Sequence, residues 1–166
     1  MIVAISYGMP LELAKDWVQA NQLEGSMSNI ERQILQGVRT PGAQEQGQVE
    51  AIWALSLVLS ITDDLSAENE CSDDLVKRVP DLRSAESLAS WQSRKNPSLR
   101  DADEVMTELD LHYCMTWGLA EANLRRHLPP GNIEQFAMWQ RRRALEYTLA
   151  RYDEPEDDWD DIDLST

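Results

Sequence analysis

Two long helical patterns meet at a hard break, Pro129-Pro130-Gly131, inside the stretch from Leu99 to Tyr152. No other feature constrains the fold as much. Proline lacks a donor N–H, and the residue before it avoids the helical region. The two patterns must therefore be separate helices. Before the break, Met106, Leu109, Tyr113, Thr116, Trp117, Ala120, Leu124 and Leu128 recur at spacings of three and four, one face of a 3.6-period helix. A second line, Val105, Leu109, His112, Thr116 and Leu119, lies beside it and widens the stripe. A wide stripe means contact with more than one neighbour, so residues 102–128 are predicted to form a central helix with Trp117 buried. Ser98 is the expected N-cap, with Asp101 three residues on. Arg125, Arg126 and His127 complement the dipole in the last turn.

After the break, Asn132 and Gln135 make a capping-box pattern. Ile133, Phe136, Ala137, Gln140, Ala144, Tyr147 and Leu149 follow as a helical face, interrupted by Arg141, Arg142 and Arg143. Adjacent helix positions point about 100° apart, so three consecutive arginines cannot share one side. At least one must lie near the buried edge and needs carboxylate or carbonyl partners. The three are candidates for structural ion pairs, to the acidic tail or a neighbouring helix, with anion binding as the alternative.

Residues 48–61 read QVEAIWALSLVLSI. A helix apolar on most sides is buried on most sides, which predicts a second central helix, carrying a buried Trp53 and packed against 102–128. Residues 1–8 are apolar and fit either a short strand or an irregular cover. Pro10 starts a helix through Leu11, Ala14, Trp17, Val18 and Leu23 to near Gly25. Ser28 and Glu31 form a capping box for a short helix stopped by Gly37. Thr40 to Gly47 reads as a turn region. Ser72 caps a short helix through Val79, ended by Pro80, and 84–94 reads as another helix. The sum is an all-α bundle of six or seven helices, with residues 1–166 as one domain.

The formal charge is −15, and eight acids with no base fall between Asp153 and Asp163. Such a field disfavours nucleic acid and anionic membranes and favours cationic partners. Twelve of the fifteen bases are Arg, which suits bidentate, partly buried pairing. Solvating tails are usually disordered, yet Trp159, Ile162 and Leu164 punctuate this one. The segment 153–166 is therefore expected to pack back, with Trp159 docked and at least one of Asp158, Asp160 and Asp161 paired to an arginine. A free tail would instead offer those acids to a basic partner.

Little in the chain suggests chemistry. Glu108 and His112 share a helix face, but carboxylate-bridged di-metal bundles use Glu-x-x-His twice; here the spacing is Glu-x-x-x-His, once. A core, hydrogen-bonded His112 is the expectation, and no metal, cofactor or catalytic group is assigned. Cys71 and Cys114 fit no disulfide or metal motif and are expected to be free thiols. With no secretory signal pattern and no apolar run long enough to span a bilayer, the expected location is cytoplasmic.

Several of these segments, in order, resemble a known family. VEAIWALSLVLSI, the acidic connection to Cys71, DLHYCMTWGLAEANL, RRRALEYTL and DWDDIDLST are similar to the bacterial domain of unknown function 4272 family. The resemblance is best from about Val49 to Thr166. Glu146-Tyr147 departs from an expected Asn-Trp, and Cys114 from a common basic residue. The resemblance implies no activity; it does imply that the Trp159 segment belongs to the domain. Charge and size suggest a non-catalytic acidic protein that binds a basic protein partner, an immunity protein against a toxin being one concrete form. The alternative is a small-molecule binder or enzyme, with a pocket between the central helices that uses His112, Tyr113 and an arginine of 141–143.

Overall fold

The computed structural model describes residues 1–128, 134–153, 159–162 and 164. These form α1 (Ile2–Ser6), α2 (Leu11–Ala20), α3 (Asn29–Leu35), α4 (Ala43–Val58), α5 (Leu88–Lys95), α6 (Ala102–Leu124) and α7 (Gln135–Asp153). Short 3-10 turns occupy Glu24–Ser26, Asp73–Lys77, Leu82–Ser84 and Trp159–Asp161. Among the described residues there is no strand, and the all-α architecture stands. The opening residues are helix α1 rather than strand or irregular cover, and they pack on α4 with Ile2 buried.

Local signals account for several boundaries. Ser28 Oγ accepts from Glu31 N at 3.3 Å while Glu31 Oε2 accepts from Ser28 N at 3.0 Å, closing a capping box at α3. Gly37 follows at φ +74°, a conformation that costs glycine nothing. Ser72 caps its segment as expected, but the segment is a 3-10 turn. At α6 the cap is Asp101, whose carboxylate accepts from Asp103 N at 3.0 Å, rather than Ser98. The expected cap at Asn132 lies outside the described residues.

α4 begins at Ala43, five residues before the apolar run, so Gly47 is inside a helix and not in a turn. The reason is tertiary. A Cβ at position 47 would stand 1.9 Å from Cε1 of Phe136, so the absence of a side chain there lets the α7 ring lie against the α4 backbone. Glu45 supports the early start: its Oε2 accepts from Gly42 N at 2.7 Å, and its Oε1 pairs with Arg39 at 2.6 Å.

The layout of the centre differs from the sequence expectation. α4 and α6 do not form the main packed pair; α7 packs extensively along both. The largest core cluster joins Ala51, Trp53, Ala54, Leu57 and Val58 of α4 to Ala144 and Leu145 of α7 and Val105 of α6, with Leu65 and Leu75 closing it. Leu119 meets Ala137 and Met138 where α6 crosses α7. A second cluster gathers Ala14, Trp17 and Val18 of α2 with Met27 and Leu35. Buried indoles find carbonyl partners: Trp17 Nε1 donates to Glu86 O at 2.7 Å, and Trp91 Nε1 to Arg78 O at 2.8 Å.

α6 is rotated relative to expectation. Its buried line is Val105, His112, Thr116 and Leu119. The parallel line faces outward: Met106 is 52 % exposed, Tyr113 44 %, Trp117 55 % and Leu124 80 %. Trp117 is thus not a core residue. The polar members of the inward line each bond back to their own helix. Thr116 Oγ1 donates to His112 O at 2.7 Å, and His112 Nδ1 lies 2.8 Å from Glu108 O. Thr116 is thereby satisfied at little desolvation cost, whereas His112 has only its Nδ1 paired in this way.

Candidate functional site

The three arginines of α7 point three ways and do three different things. Arg141 has no solvent exposure. Its Nε donates to Glu50 Oε2 at 2.8 Å, and Nη2 lies at 2.8 Å from the same oxygen. Nη1 donates to Ser66 O at 2.8 Å and Nη2 to Asn69 O at 2.6 Å, while the guanidinium stacks 4.5 Å from the Trp53 ring centre. Glu50 Oε1 in turn accepts from Cys71 N at 2.7 Å. The Arg141–Glu50 pair is therefore hydrogen-bonded on its open sides, the condition under which a buried ion pair is tolerated. It ties the connection after α4 to two helices. That connection carries Asp63, Asp64, Glu68 and Glu70, and it ends at Cys71, whose thiol is pushed up to about 12 by burial and by Glu50.

Arg142 is also buried, and it pairs with Glu146 Oε1 at 2.5 Å. Its guanidinium lies 4.5 Å from the Tyr113 ring centre, and Nη1 reaches Leu164 O at 3.4 Å. Arg143 is half-buried and faces the Trp159 indole at 6.0 Å, with its Nε buried and without a hydrogen-bond partner among the described residues.

Residues 159–162 lie against the helices. Trp159 packs against the main core and meets Tyr147 edge-on, ring centres 5.4 Å apart. Among the described residues Asp160 pairs with no arginine. Its Oδ1 accepts from Ser28 Oγ at 3.1 Å and its Oδ2 from Ile30 N at 2.9 Å. The first turn of a helix has unpaired N–H groups and a partial positive charge, and α3 presents both beside the docked indole. Arg141 and Arg142 are already committed to Glu50 and Glu146. Asp161 is exposed, and Asp158 lies outside the described residues.

His112 and Tyr113 lie on different sides of α6. His112 has no exposed surface, and among the described residues its Nε2 has no hydrogen-bond partner. Burial pushes the imidazole below its ordinary range, with the Arg141 cation acting the same way. Tyr113 is on the outward side, under Arg142. Glu108, one turn before His112, has its carboxyl raised by burial, with Asp64 adding to the effect. Cys71 and Cys114 are free thiols. Among the described residues no group of three His, Cys, Asp or Glu side chains is arranged to hold a metal.

What the structure does assemble is a surface. Met106, Tyr113, Trp117 and Leu124 run along the outward face of α6 at intervals of seven, four and seven. The row is about 27 Å long at the ~1.5 Å helical rise. Exposed Asp103 and Asp110 border it on one side. At its N-terminal end Arg100 holds two more carboxylates, Asp63 at 3.1 Å and Glu104 at 3.0 Å, while anchoring itself to Leu57 O and Thr62 O. The apolar periodicity was visible in the sequence, but nothing in it marked this row as the outward one.

Among the described residues no helix is long and apolar enough to cross a membrane. No curated protein and no solved structure matches the chain. A family model does, and it reaches the N-terminal third as well as the segments after Val49. Over residues 1–162 the chain matches the domain of unknown function DUF4272, and it belongs to that family.

Proposed function

We propose that this chain is a non-catalytic binding protein whose α6 face docks a basic protein. The observation that carries the reading is the exposed row of Met106, Tyr113, Trp117 and Leu124 beside an acidic edge. Large aromatics are costly to leave in water, and contiguous exposed apolar patches mark interaction sites. Trp and Tyr are also the side chains that most often dominate binding energy when a partner covers them. The acidic border selects a cationic partner and speeds its encounter. Phosphate backbones are repelled by the same field. The reactive groups support a role without chemistry: His112 is sealed and held neutral, and the Cys71 thiol is held protonated. An immunity protein that masks a basic toxin is one concrete form of this reading, and a cytoplasmic location is compatible with it.

The test is site-specific crosslinking. A benzophenone amino acid at position 117 should capture a basic protein in cells, and the same probe at exposed Leu13 of α2 should not. With that protein purified, Trp117→Ala should weaken binding at least about ten-fold, within the range of interface hot spots. Asp103→Asn with Asp110→Asn should slow association and flatten its salt dependence. An acidic partner, or a basic one that binds Trp117→Ala with unchanged affinity, would refute the proposal.

A further inference from the structure

A second feature lies on the other flank of α7 and is independent of the α6 face. The N-terminal halves of α4 and α7 enclose a groove of about 550 Å³, walled by Phe136, Trp139, Gln140, Arg143, Gln44 and Leu164. Two of its polar side chains are left incomplete. Gln140 is only 5 % exposed, and its Oε1 has no hydrogen-bond partner among the described residues. Arg143 Nε is buried without an acceptor, and Arg143 makes no ion pair among the described residues. Buried polar groups without partners are rare, and each costs free energy until something completes it. Here two of them occur three residues apart on one helix, so they lie on the same side and border one groove.

We propose that this groove binds a small carboxylate with a flat, largely apolar body. A guanidinium whose Nε is unpaired calls for an acceptor, and a carboxylate matches its planar fork. The Gln140 amide offers N–H donors when turned about its last torsion, so both groups can serve the same anion. The Trp159 indole backs the guanidinium at 6.0 Å and steadies it. Phe136 and Trp139 are 37 % and 41 % exposed and supply flat walls for the apolar body. The overall charge of the chain opposes an anion, but two acids close in sequence to the lining residues are neutralised. Glu45 pairs with Arg39 at 2.6 Å and Glu146 with Arg142 at 2.5 Å. The groove volume falls within the usual range for small-molecule sites, roughly 300–1,000 Å³.

The experiment uses the full-length chain, labelled with nitrogen-15, titrated with indole-3-acetate and in parallel with the matched neutral indole-3-acetamide. The acid should shift the Arg143 Nε–H, Gln140 side-chain amide and Trp139 indole N–H signals saturably. It should bind at least about ten-fold more tightly than the amide, the factor one charge-assisted hydrogen bond supplies. Arg143→Gln should bring the acid down to the affinity of the amide and leave the amide unchanged. Equal binding of acid and amide, shifts confined to Trp117, or no shift at millimolar ligand would each overturn the proposal, since the two groups would then hold only water. The wild-type signals decide the matter even if Arg143→Gln fails to fold.

Discussion

Arg141→Met is the substitution that should reveal most about how this fold is held. Methionine replaces the aliphatic stem and fills the space, so the loss is mainly electrostatic. It strands Glu50, whose side chain is 8 % exposed, and it frees the Ser66 and Asn69 carbonyls. Removing one partner of a buried pair costs about 3–5 kcal/mol because the other charge stays buried. The freed carbonyls add roughly 1 kcal/mol each if water cannot reach them. Against a typical total stability of about 5–15 kcal/mol, that is a large share. Urea unfolding followed by tryptophan fluorescence measures the loss. Hydrogen exchange at Cys71 N–H, which rests on Glu50, should quicken, and the Cys71 thiol should become accessible to a thiol reagent. The double variant Arg141→Met/Glu50→Gln should recover part of the loss, since no charge is then left unpaired. A loss below about 1 kcal/mol, the range of surface sites, with unchanged exchange at residues 63–71, would refute the clamp.

Trp53→Ala should cost roughly 3–5 kcal/mol, whereas Trp117→Ala should cost less than about 1 kcal/mol because the indole is already 55 % exposed; comparable losses in denaturation would contradict the orientation of α6. Asp160→Ala should destabilise by about 1 kcal/mol, the usual cost of losing a helix N-terminal acceptor, and should broaden the amide signals of Ile30 and Glu31; unchanged signals would mean that the tail contact is absent in solution. His112 is held neutral by burial, so its folded-state pKa lies below the ordinary 6.5. The unfolded chain takes up a proton that the folded one resists, so stability should fall as pH drops below about 6.5. His112→Gln should remove that part of the slope, and an unaltered stability–pH profile would show that His112 does not carry it.

The sequence by itself determined the class of fold and many of its edges, because those depend on neighbours within one or two turns. Ser28 and Glu31 cap α3 through a contact three residues long, and Gly37 ends that helix through its own backbone freedom. The long apolar run after Gln48 left strand as a rival, but its length and its Ala and Leu content favoured helix. The tertiary structure decided everything that needed a distant partner. Three consecutive arginines must point three ways, but Arg141 became fully buried because Glu50, 91 residues earlier, stands opposite it. α6 offered two adjacent apolar lines, and only the arrival of α7 selected Val105, His112, Thr116 and Leu119 over Met106, Tyr113, Trp117 and Leu124. Asp160 found two donors at the start of α3, 130 and 132 residues away, where local reading pointed to the arginines just upstream. Periodicity tells which residues share a side of a helix. Which side faces inward is set by the free energy of packing whole elements together, and that sum has no local signature.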